Sequence, residues 1–113
     1  MTNRIYSFIG LAMKAGRLVS GEFACEKAVK QGRACLVIVA EDASENTKKV
    51  FGDMCEYRKL PIRYFGIKSL LGSCIGKETR AVIVILDKGF SDRLMSMIDN
   101  ADAQGGGDKL GKI

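Results

Sequence analysis

Apolar residues recur along this chain in two rhythms, and the switching between them predicts the elements. Ile5, Phe8, Ile9, Ala12 and Met13 fall at i, i+3, i+4, i+7 and i+8. That is the stripe of one helical face, so residues 3–15 are predicted to form an amphipathic helix stopping at Gly16. Leu18 and Val19 follow as a short strand. Gly21 opens a second helix to about Gln31, with Ala24, Cys25, Ala28 and Val29 inward, Glu26 and Lys30 paired outside and Gly32 as the stop. Leu36-Val37-Ile38-Val39-Ala40 is apolar without a break and rich in β-branched residues, the pattern of a strand covered on both faces. Asp42 or Ser44 caps a third helix. Glu45 stands three residues after Asp42 as in a capping box, and Val50, Phe51, Met54 and Cys55 turn toward the core.

Pro61 separates that helix from a strand over Ile62–Phe65, which Arg63 marks as an edge. Lys68 and Ser69 precede a short helix with Leu70, Leu71, Cys74 and Ile75 on one side and Gly76 at its end. Ala81–Leu86 is the second continuously apolar strand. A last helix, about Gly89–Asn100, turns Phe90, Leu94, Met97 and Ile98 inward. Residues 103–113, with Gln104-Gly105-Gly106-Gly107, carry no core pattern and are expected to be a flexible Gly-rich tail. The order α-β-α-β-α-β-α-β-α, with two strands apolar on both faces, requires helices on both sides of one sheet. The expectation is an α/β chain: one three-layer α/β/α sandwich over residues 1–102, with four strands, two central and two at the edges.

Composition narrows the chemistry. The 113 residues include no histidine, so Ser-His-Asp triads, Cys-His pairs and the common zinc sites lack a necessary member. The four cysteines contain no C-x-x-C pair and read as reduced, mostly buried thiols of a cytoplasmic protein. No apolar run approaches the roughly 20 residues that cross a bilayer. Neither a Walker-type nor a G-x-G-x-x-G loop is present, so no nucleotide cofactor and no metal are expected. Glu41 and Asp42 follow a buried strand and could serve a small hydrolase, but a helix cap with a solvated neighbour accounts for them better.

Charge tells more by its distribution than by its total. Residues 1–33 hold Arg4, Lys14, Arg17, Lys27, Lys30 and Arg33 against Glu22 and Glu26, a net +4 of the chain's +5. A basic excess gathered in one segment is the footprint of polyanion binding. Within it, Ser20-Gly21-Glu22-Phe23 puts a glycine and free N–H groups at a helix start, an anion site in principle. Lys27 follows Phe23 by one turn. Phe23 breaks the inward pattern of its helix, so it either stacks on an unpaired base or folds against Leu18 or the first helix. Gly76-Lys77-Glu78-Thr79-Arg80 leads into the second apolar strand with two more cations.

Three segments together carry a resemblance: GLAMKAGRLVSGE (Gly10–Glu22), AEDASENTKK (Ala40–Lys49) and LGSCIGKETR (Leu71–Arg80). They resemble the short bacterial YlxQ-type members of the L7Ae/L30e ribosomal protein superfamily over about residues 3–100, in the same element order. The resemblance implies an α/β/α sandwich with a mixed sheet. It also implies non-catalytic binding of kink-turn RNA, a sharply bent duplex with tandem sheared G·A pairs and a flipped-out base. Gly21 and Lys27 match the family's Gly-x-Asn-Glu-x-x-Lys pattern, while Phe23 and Ala24 stand where its polar pair belongs. Ser44 and Lys48 fall at positions that face RNA in relatives, Lys68 at a basic contact, and Lys77, Thr79 and Arg80 in the loop that holds the flipped base.

The expected function is therefore binding of structured RNA, ribosomal or another stable RNA, by a monomer with no cofactor, no metal and no membrane. Gly21, Glu22, Phe23, Lys27, Ser44, Lys48, Lys68, Lys77, Thr79 and Arg80 are the expected site, and the ribosome or translation-associated proteins the expected company. Phe and Ala cannot read a base edge, so affinity is expected from phosphates and stacking, with weaker base selection. The rival is a protein-interaction module that kept the sandwich and lost RNA recognition.

Overall fold

The computed structural model describes the backbone of residues 2–111 and the side chains of residues 3–101. Nine elements alternate along the chain: α1 (Thr2–Lys14), β1 (Leu18–Ser20), α2 (Glu22–Lys30), β2 (Leu36–Val39), α3 (Glu45–Arg58), β3 (Ile62–Tyr64), α4 (Lys68–Ser73), β4 (Val82–Ile85) and α5 (Lys88–Gly111). They form a three-layer α/β/α sandwich, as the alternation requires. The four strands lie in the order β1-β4-β2-β3, so the two unbroken apolar runs are central. Pairing is antiparallel for β1–β4 and β4–β2 and parallel for β2–β3, with Val37 opposite both Val84 and Ile62.

Every residue of β2 and β4 is buried, which only helices on both faces can achieve. Helices α1 and α5 pack together on one face, where the Phe8 and Phe90 rings stand 5.2 Å apart. Helices α2 and α3 pack together on the other. Arg63 on edge strand β3 reaches α5, its Nε and Nη2 donating to the Asp99 carboxylate at 2.9 and 3.0 Å.

One open alternative is settled and two sequence expectations need correction. Of the two candidate caps of α3, Ser44 holds the place: its Oγ accepts from the Thr47 N–H at 3.0 Å. Asp42 instead accepts from the Lys68 N–H at 2.8 Å, so it satisfies the start of α4 from across the fold. Val50 and Leu70 are not core residues but 37% and 44% exposed. Each sits one position before a buried residue, Phe51 and Leu71, and so about 100° around the helix from the inward direction. The last helix does not stop near Asn100 but runs to Gly111; its sequence does not account for the extension, since Gly105-Gly106-Gly107 disfavours helix. The expected tail, residues 103–113, lies outside the described side chains. Among the described residues no helix is long and apolar enough to cross a membrane.

Candidate nucleic-acid interface

Helix α2 begins on a glycine for a backbone reason. Gly21 has φ 91° and ψ 150°, a conformation that strains any residue with a Cβ. Its N–H donates to the Val82 carbonyl at 3.0 Å, which anchors the helix start to β4. No side chain caps the first turn, so its N–H groups stay available to an anion. Over this start lies Arg80. Its Nε donates to Ser20 Oγ at 2.9 Å and its Nη1 to the Thr79 carbonyl at 2.7 Å, and Nε stands 4.0 Å from where a Cβ on Gly21 would be. Arg80 forms no ion pair among the described residues, so its charge is held in place but not neutralised.

A short chain of hydrogen bonds joins α2 to α3. Thr47 Oγ1 donates to Glu22 Oε2 and accepts from Ser44 Oγ, each at 3.0 Å, and the Thr47 side chain is buried. Glu22 is thereby turned toward α3. Lys48 follows, its Nζ 3.8 Å from Glu45 and its side chain mostly covered.

The turn before β4 lies across α4. The Lys77 N–H donates to the Gly72 carbonyl at 2.8 Å, and the Arg80 N–H to the Lys68 carbonyl at 3.1 Å. A Cβ on Gly72 would stand 2.6 Å from the Glu78 carbonyl oxygen, so only glycine permits the approach. Lys77 and Thr79 are exposed at the crest of this turn.

Direct contacts thus join Lys68 and Thr79 to Arg80, which lies over Gly21, and join Glu22 to Ser44 through Thr47, with Lys48 next along α3. Phe23 is 83% exposed and does not fold against Leu18 or α1. It stands with Lys27 on the outer face of α2, where they border a shallow hollow of about 340 Å³ with Glu26, Lys30 and Gln31. Lys27 itself lies a turn and a half beyond Gly21 and does not touch Arg80. Among the described residues no group of three potential metal ligands occurs, and Asp42 is committed to α4. The Cys25 thiol beneath the site is pushed up to about 12 by burial, with Arg80 pulling it down more weakly. A thiol of that kind is not a nucleophile.

Reading the sequence missed Ser20 and Thr47, which tie the surface together. Thr47 had a local signal, three residues after the capping Ser44. Nothing in the spacing links Thr47 to Glu22 or Arg80 to Ser20.

Comparison with known proteins identifies the family and the fold. Residues 3–95 match the ribosomal protein L7Ae/L30e/S12e/Gadd45 family. The chain is 42% identical over 94 residues to the Bacillus subtilis protein named RNA-binding protein YlxQ, covering 83% of this chain and 94% of that one. A solved structure of a Bacillus halodurans protein of unknown function superposes with a TM-score of 0.81 at 41% identity, over 84% of this chain and 96% of that one. The Giardia lamblia 15.5kD RNA binding protein shares the fold, with a TM-score of 0.72 at 21% identity over 87% of this chain and 84% of its own. The chain belongs to the L7Ae/L30e family.

Proposed function

We propose that this chain is a non-enzymatic RNA-binding protein that takes a structured element, kink-turn-like or ribosomal, on the start of α2 and the turn before β4. The observation that carries this reading is the Arg80–Ser20 contact, which makes the turn and the uncapped helix start one cationic surface. In this reading the first-turn N–H groups beyond Gly21 meet the RNA backbone. Lys27, Lys48, Lys68, Lys77 and Arg80 neutralise phosphates. Phe23 stacks on an unpaired base, and Thr79 lies beside it in the turn. Ser44 and Glu22 hold the starts of α3 and α2 at a fixed distance through Thr47. Membership of the family and the name of the B. subtilis relative support the same substrate class.

Phe23 and Ala24 accept no hydrogen bond from a base edge, so discrimination rests on the bend of the duplex more than on its G·A pairs. The test is a fluorescence titration of a kink-turn RNA and of a straight duplex of equal length. The kinked RNA should bind more tightly, and with about four phosphates neutralised log affinity should fall against log salt with a slope of about −3. Arg80→Glu and Phe23→Ala should each weaken binding by about 1–3 kcal/mol. Equal affinity for both RNAs, or binding indifferent to salt, overturns the proposal.

A further inference from the structure

Of the six basic residues in residues 1–33, Arg4, Lys14, Arg17 and Arg33 play no part in the α2 surface. Arg4 and Lys14 lie on α1, in the layer across the sheet from α2 and α3. Between α1 and α5 run two adjoining hollows of about 280 and 300 Å³, which share Arg4, Arg93 and Met97 as lining residues. Leu11, 54% exposed, borders the second, and with half-buried Phe8 and Met97 it gives the groove an apolar floor. Among the described residues no acidic side chain lines either hollow. Among the described residues neither Arg4 nor Arg93 forms an ion pair, while the nearby α5 acids Asp92 and Asp99 are held by Lys88 and Arg63.

Unpaired arginines beside methionine and an aromatic ring are the composition enriched at protein–protein contacts. A groove between two helices offers the shape that receives a third helix. We propose that the α1–α5 groove docks an acidic amphipathic helix of a partner protein, its apolar stripe on Leu11 and Met97 and its carboxylates on Arg4 and Arg93. Charge complementarity selects this occupant: among the described residues the groove offers two free guanidinium groups and no carboxylate. A nucleic acid would meet the same charges, but it has no use for the apolar floor, and the stacking aromatic and open helix start belong to the other layer. The inference does not depend on the RNA reading.

The test places a photo-crosslinking residue in the full-length chain, Leu11→p-benzoylphenylalanine, in the cells that encode it. After irradiation the crosslinked peptide is identified by mass spectrometry. The expected product is a segment of another protein with net negative charge and apolar residues at i, i+3 and i+4. Its yield should fall about tenfold or more in Arg4→Glu/Arg93→Glu. That variant should keep the parent's slope of log affinity against log salt for kink-turn RNA; where its melting temperature drops, Arg93→Gln replaces it. Crosslinks to RNA, to a second copy of this chain or to peptides without an acidic bias overturn the proposal, as does the absence of any crosslink or a yield indifferent to the substitutions.

Discussion

Gly72 shows how much a single missing carbon decides. A side chain there would press its Cβ to within 2.8 Å of backbone atoms of Glu78 and Thr79, and backbone, unlike a flexible side-chain end, does not swing aside. Gly72→Ala must therefore push the turn off α4, and overpacking of this kind costs about 1–3 kcal/mol. Urea denaturation should show the midpoint falling at unchanged slope. RNA affinity should fall with it, since Thr79 and Arg80 hang from the displaced turn. An unchanged midpoint would mean that the loop yields freely and that Arg80 is not positioned by α4. Gly21 is constrained differently: space exists around it, but its φ of 91° strains an L side chain whatever the space.

At the scale of elements, helix starts are held by side chains from two distances. Ser44 caps its own helix, and the same hydroxyl positions Thr47 for Glu22. Asp42 caps α4, 26 residues away. Ser44→Ala and Asp42→Ala should each lower stability by about 1 kcal/mol. Ser44→Ala should also weaken RNA binding, because it frees Thr47 and so the α2–α3 junction. Thermal melts beside an RNA titration separate the two effects: if Ser44→Ala loses stability but keeps the parent's affinity, the α2–α3 junction is no part of the site.

The contact between β3 and α5 responds to pH. Hydrogen bonding to Arg63 holds the Asp99 carboxyl below its ordinary value. A depressed folded-state value gives stability that is complete above the ordinary carboxylate range, about pH 4, and is lost as pH falls through the lower folded value. The pair is half-exposed, so the solvent-screened contribution is below about 1 kcal/mol. Asp99→Asn should melt slightly below the parent at about pH 6 and level with it at about pH 2. An equal gap at both would remove ionisation as the cause.

These elements also show what the chain announces and what it hides. Runs such as Leu36–Val39 and Val82–Ile85 identify central strands because burial on both faces leaves no polar position. Phe23 was readable as breaking an inward stripe, but the stripe left open whether it folds against Leu18 or α1, and only the closed fold leaves it exposed. Asp42 was not readable as the cap of α4, nor Ser20 as the seat of Arg80, because both contacts join residues that only the closed sheet brings together. Val50 and Leu70 show the other limit: a stripe of period 3.6 predicts its centre well and its margins poorly.

Across the whole molecule, the cations reach the surface from different elements. Arg80 lies over the α2 start, Lys27 in the last turn of α2 and Lys68 at the start of α4, while Arg4 and Lys14 lie on α1. The net charge of +5 alone would attract any polyanion, so weak RNA binding would not by itself locate a site. Salt dependence does, because its slope counts the phosphates contacted and ignores charge that merely adds to the field at a distance. Lys27→Gln and Lys68→Gln remove the same single charge as Lys14→Gln. The first two should each flatten the slope of log affinity against log salt by about 0.7–0.9, and the third should leave it unchanged. Anisotropy titrations of one RNA at several salt concentrations give all four slopes. If Lys14→Gln flattens the slope as much as the others, the RNA is held by the diffuse field of a basic protein and the α2 surface is not its site.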